Sequence, residues 1–206
     1  MNAAQFLRSW VIRTFSSGSI RERKRALYRL KHKLSGAAHR VEYFHQLDDP
    51  YSHLAVQTLS KLSLSYDIEL IIHLVDRPNA VDAPEPKMLD DYARVDAANI
   101  APFYGLQFKD PGAQPHRELI TLAQRVLRGA ISKGNFANLA VKVGDALWRG
   151  DGGALESMAV NCSPTKLEGE LRKAEKRRDS LGHYLGGTFY YDGEWYWGVD
   201  RLNYLE

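Results

Sequence analysis

The sequence predicts an α/β fold in which a β-α-β start and a β-β-α end enclose a long helical stretch, preceded by a basic helical extension. Three observations predict it. RVEYFHQ (40–46) and IELIIHLV (68–75) have strand composition and flank a segment with Leu54, Leu59, Leu62 and Tyr66 at helical offsets. Three helical segments then end in turn at Gly105, Gly134 and Gly150, where glycine suits a left-handed C-cap. Near the end, GTFYYDGEWYWG sets strand-type residues on both sides of Asp192-Gly193, a two-residue connection favoured in hairpins.

In chain order, residues 1–39 form the extension. Phe6, Leu7, Trp10, Val11 and Phe15 recur at helical spacing, SSGS (16–19) breaks the pattern, and a second helix is expected from about Ile20 to Leu34. Its apolar stripe is Leu27, Leu30 and Leu34. Residues 1–40 hold ten Lys/Arg against the single acid Glu22, a net of +9, so the whole-chain charge of +3 leaves the remainder at −6. Such an arm suits an anionic partner, nucleic acid or membrane, or else packing on the acidic body or a plain solvated helix face. Arginines at 8 and 13 interrupt its apolar residues, which excludes a secretory signal, although the first 19 residues resemble an organelle transit peptide. A cytoplasmic location is the expectation without such targeting.

The body is expected over 40–206. The run at 68–75 is continuously apolar, as in a buried parallel strand, so 40–75 reads as a right-handed βαβ unit. RPNAVDAPEP (77–86) is a loop, because three prolines in ten residues exclude regular structure. A helical insertion follows over about 87–182. It takes in KMLDDYARVDAANIAPFYGL, HRELITLAQRVLRGAISKG, FANLAVKVGDALWRG, ALESMAV, and a last helix in which Ser163 caps and Pro164 takes the first position. The hairpin comes next, and VDRLNYLE opens a final helix. This order is that of a thioredoxin-like core with an all-helical insertion.

The bulk composition, 44% hydrophobic and 26% charged in 206 residues, suits a globular domain with a real core. One cysteine, Cys162, allows neither an internal disulfide nor a Cys-x-x-Cys pair. No paired short histidine spacing supplies a zinc site, and no apolar run approaches the ~18 residues of a membrane span.

Four stretches carry a resemblance: YFHQLDDPYSHLAVQTL (43–59), DYARVDAANIAPFYGLQF (91–108), ALWRGDGGALES (146–157) and GGTFYYDGEWYWGVDRLNYLE (186–206). Together they resemble the DsbA-like branch of the thioredoxin superfamily, and within it 2-hydroxychromene-2-carboxylate isomerases and kappa-class glutathione transferases. The resemblance implies glutathione as cofactor and a glutathione-dependent isomerase or transferase, with a small-molecule or glutathione-conjugate ligand and a homodimer open as partners. It implies an active turn at Asp49-Pro50-Tyr51-Ser52, with His53, Gly187, Thr188, Asp200 and Arg201 as further contacts. In that family the final helix runs several turns further, which implies a longer chain or a second domain.

Three positions depart from the family pattern, Asp49, Gly187 and Val199, the last standing where that family usually has a small polar residue that contacts the γ-glutamyl carboxylate. Asp49 stands where relatives have the serine whose hydroxyl stabilises the glutathione thiolate. A carboxylate cannot donate that bond, and two unit charges ~4 Å apart repel by about 4 kcal/mol near a protein surface. Gly187 replaces a cis-proline ahead of Thr188, which predicts a trans, more mobile loop. Ser52 keeps the second serine of the pattern and is expected to point inward. Asp200 is where the γ-glutamyl amine would be held, and it is also a natural cap for the final helix.

Read from chemistry alone, Asp49-Pro50 is either a well-made helix start or a general base at a helix end. Asp48 reads as a solvated turn residue, His53 as a surface residue one turn into a helix, and Gly186-Gly187 as a relaxed loop. Two functions stay open, a modified glutathione-dependent enzyme and a catalytically degenerate thioredoxin-fold binder. Dithiol redox chemistry is excluded, since no cysteine lies near Asp49 or Ser52.

Overall fold

A computed structural model describes residues 18–36, 38–78, 81, 83–159 and 164–205. Residues 1–39 form one compact unit and 40–206 another. The expected helix at 6–15, the Ser163 cap and Cys162 lie outside the described residues. The first unit contains helix α1 (Gly18–Ser35), which starts inside the expected breaker. Its leucines are not buried: Leu27, Leu30 and Leu34 are 67%, 53% and 78% exposed.

The second unit holds strand β1 (His39–Gln46) from Arg40 onward, followed by α2 (Pro50–Val56), α3 (Leu59–Ser65) and β2 (Ile68–Val75). One crossover helix was expected, and two are found. The break falls at Gln57-Thr58, where the Thr58 hydroxyl bonds back to the Ala55 carbonyl at 2.7 Å. The Gln57 side chain reaches away to the backbone of Gln107, donating to its carbonyl at 2.8 Å and accepting from its amide at 3.0 Å. The insertion contributes α4 (Pro86–Ile100), a 3-10 turn (Ala101–Tyr104), α5 (Arg117–Ser132), α6 (Phe136–Trp148), α7 (Gly152–Met158) and α8 (Pro164–Ser180). Gly105, Gly134 and Gly150 have φ of 66°, 67° and 69°, the left-handed geometry their C-cap positions require. Strands β3 (Thr188–Tyr191) and β4 (Glu194–Trp197), a 3-10 turn (Val199–Arg201) and α9 (Leu202–Leu205) complete the body.

The sheet is mixed, in the order β2-β1-β3-β4. β1 runs antiparallel to β3 with Tyr43 opposite Phe189, and β3 antiparallel to β4 with Tyr191 opposite Glu194. Asp192 and Gly193 take φ of 47° and 84°, which makes the hairpin turn the expected Asp-Gly type. Central β1 is buried on both faces. Tyr43 stacks on Phe189 at 4.7 Å in the main core, whereas Phe44 joins Val75 and Ala174 in a smaller cluster on the other face. The continuous apolar run of β2 is a sheet edge rather than a fully buried strand, and only Leu74 and Val75 are buried in it. Helix α8 packs over it, so its apolar residues are covered without being enclosed. Helix α2 packs against α4 and α6, which places its first turn between the sheet end and the insertion.

Candidate functional site

Asp49 has extended backbone (φ −108°, ψ 116°) and caps α2, with Pro50 at the first helical position. Its Oδ1 accepts from the Tyr51 amide at 3.1 Å. Its Oδ2 accepts from the Ser52 amide at 2.9 Å and the Ser52 hydroxyl at 2.7 Å. The cap therefore uses the free N–H groups that a helix start would otherwise offer to a ligand. Burial nevertheless outweighs these bonds, and with some repulsion from Asp48 it raises the Asp49 pKa from 3.8 to about 6.

Ser52 is fully buried, pointing inward as the resemblance implied. Its Oγ also accepts from the Gln46 amide at 3.2 Å, and its carbonyl accepts from the Tyr43 hydroxyl at 3.0 Å. That hydroxyl has one proton, already given to Ser52, so the His45 Nδ1 at 3.0 Å must be the donor to it. Burial, with lesser repulsion from His53, lowers the His45 pKa to about 3, so this network beneath Asp49 is neutral.

The Gly186-Gly187 pair does not loosen its loop; it permits close packing on this turn. A Cβ at Gly186 would lie 2.4 Å from the Gln46 Cβ. One at Gly187 would lie 3.1 Å from both Asp49 Oδ2 and the Ser52 amide, and Gly187 has φ of 62°. Its carbonyl accepts from the Gly198 amide at 3.0 Å. No cis peptide bond occurs among the described residues. Thr188 is fully buried in β3.

Asp48 is a buried ion-pair partner rather than a solvated turn residue. It is 5% exposed, and its Oδ2 receives Arg77 Nε at 2.8 Å and Nη2 at 2.7 Å. Gln46 Nε2 donates to its Oδ1 at 3.1 Å. Arg77 also reaches Asp90 at 3.3 Å. Nothing local in the sequence joins positions 48, 77 and 90; only the fold brings them together. Tyr51 donates to Asp96 at 2.7 Å and meets Trp197 edge-on at 5.9 Å.

Asp49, Pro50 and Tyr51 open on a cleft of about 450 Å³. Its other walls include Pro84, Pro86, Leu89, Tyr184, Leu185 and Trp197, and the Arg77 ion pairs form one polar side. No protein-family model matches the chain, and no curated protein matches it in sequence. Solved structures match it in fold. A 2-hydroxychromene-2-carboxylate isomerase superposes over 81% of this chain and 92% of its own, with a TM-score of 0.51 and 22% identity. A probable DsbA oxidoreductase from Streptomyces coelicolor superposes over 78% and 83%, with a TM-score of 0.55 and 14% identity. The chain has a DsbA-like thioredoxin fold.

Within this DsbA-like fold the remaining expected residues separate from the cleft. His53 is not a surface residue and does not line it. It is 4% exposed, and its Nε2 lies 3.2 Å from Asp145 Oδ1. It lines a second cavity of about 710 Å³ with Phe108, Asp145 and Trp148. Gly144 makes room for the ring, since a Cβ there would lie 2.2 Å from His53 Nδ1. Helical spacing explains the separation: 49 and 53 are four apart, but the cap residue turns out of the helix while His53 faces α6. Asp200 lies inside the 3-10 turn, whose N-cap position is Gly198, rather than at the residue just before the final helix where a cap was expected. Its side chain and that of Arg201 are 56% and 60% exposed and sit 3.6 Å apart. Neither lines the cleft, although their turn packs against α2.

Proposed function

We propose that this protein binds a small, mainly apolar molecule with a neutral or positively charged head in the Asp49 cleft, and that Asp49 exchanges a proton with it. The observation that carries this is the Asp49 carboxyl itself, partly buried on the cleft and held at about 6. An acid in that range holds and releases protons near neutrality, the condition for general acid–base work. The walls suit an apolar body. Arg77, the cation among the described lining residues, is engaged by Asp48 and Asp90 on two sides, so an anionic ligand gains little from it. A thiolate would meet a carboxylate where relatives offer a hydroxyl.

Calorimetric titration with benzylamine, benzyl alcohol and glutathione tests this. Heat from the first two, and none from glutathione, is expected. Tight glutathione binding by the parent chain would overturn the reading. A glutathione-dependent isomerase or transferase is the second reading, favoured by the position of the Asp49 turn at the first core helix and by the Val199–Arg201 turn packed against it. In that case Asp49→Ser strengthens glutathione binding. A parent that gives no heat, with binding appearing only in the variant, marks a centre that has lost its thiol chemistry.

A further inference from the structure

We propose that helix α1 is a binding surface for an anionic lipid bilayer. It is an 18-residue helix with seven lysines and arginines and one acid, Glu22. Leu27, Leu30 and Leu34 are 67%, 53% and 78% exposed, so its apolar stripe is open. At 100° per residue they fall within an arc of about 60°. Lys24 and Lys31 border that arc on one side and Lys33 on the other, a placement that lets the leucines enter the acyl boundary while the ammonium groups reach the headgroups. The sequence ahead, residues 1–17, has the same chemistry, with Arg8 and Arg13, no acid, and Phe6, Trp10 and Phe15 among its apolar residues.

Both features of the helix find a use at an anionic bilayer. A nucleic acid would engage the cations through phosphate and leave the leucines in water. A second copy would cover the leucines but bring like charges together along both borders, with one acid per helix to offset them. An anionic leaflet takes the apolar stripe and attracts the cations at once.

The test uses the full chain in co-sedimentation with vesicles of phosphatidylcholine alone, and with about one third phosphatidylserine. Binding to the second, weakened at least ~tenfold in the first or at high salt, is the expected result. Leu27→Ser, Leu30→Ser and Leu34→Ser together should weaken it at least ~tenfold with no change in Tm, because the stripe is exposed. Lys24→Glu, Lys31→Glu and Lys33→Glu together should do the same. Absence of vesicle binding, or binding that the leucine variant retains in full, overturns the proposal. So does a Tm lowered by several degrees in the leucine variant, which would mean the stripe packs on protein. Duplex RNA bound equally by parent and leucine variant, with no vesicle binding, would assign the helix to nucleic acid instead.

Discussion

Replacing Asp49 by asparagine should make the protein more stable at pH 8 and leave it unchanged or slightly weaker at pH 4. A folded-state pKa near 6 against an ordinary 3.8 means the native state holds a proton that the unfolded chain has released between those values. Stability contributed by this group therefore falls as pH rises from about 4 to 6 and stays low above that; the ionised carboxyl costs on the order of 3 kcal/mol at pH 8. Asparagine caps a helix as well as aspartate and removes that cost. It has one carbonyl oxygen in place of two, so either the Tyr51 amide or part of the Ser52 pair loses its acceptor, at ~1 kcal/mol. The difference between variant and parent should move by ~2–3 kcal/mol in favour of Asn between pH 4 and 8. The difference is the quantity to measure, since His45 acts in the opposite sense. Its pKa is lowered to about 3, so stability it contributes above 6.5 is lost as pH falls towards 3. The two slopes oppose each other between pH 4 and 6, each at most about 1.4 kcal/mol per pH unit. Urea unfolding of parent and variant across this range gives the answer. A variant weaker by ~1 kcal/mol or more at every pH would refute the reasoning and reduce Asp49 to a plain cap.

Gly187→Ala should cost ~2 kcal/mol or more, because it combines a left-handed φ with contacts at 3.1 Å; Gly105→Ala has open space and should cost only ~1. Comparison of their urea midpoints checks this, and equal losses would contradict the packed role of Gly187. Gly144→Ala should cost ~2–3 kcal/mol by displacing His53, with glutathione and benzylamine titrations unchanged because His53 lines a different cavity. Arg77→Ala leaves Asp48 buried beside Asp90 and should cost ~2 kcal/mol, with at least half recovered by adding Asp48→Asn. A double variant no more stable than the single one would contradict the ion-pair account.

The fold was legible wherever one residue type answers one backbone need. Gly105, Gly134 and Gly150 marked helix ends, and Asp192-Gly193 marked the hairpin, because few other residues take those φ values cheaply. The Asp49-Pro50 helix start was legible for the same local reason. Strand order was less so: an apolar run such as 68–75 reads as doubly buried whether neighbouring strands or a helix cover it. The cleft was half legible. Asp49 and Tyr51 belong to one turn, but Arg77 and Asp90 reach it from a proline-rich loop and the insertion, and no local pattern encodes that meeting. Gly186-Gly187 carried a signal read the wrong way, since paired glycines suit close approach as well as freedom. His53 was misplaced because a helix of seven residues between two walls has almost no solvent face.

The central claim is that a partly buried Asp49 carboxyl lies poised near neutrality on the cleft. A carbon-13 NMR titration of aspartate carboxyls, with Asp49→Asn to assign the signal, tests it most directly. The account predicts that Asp49 titrates with a midpoint near 6. A midpoint at or below the ordinary 3.8 would contradict it.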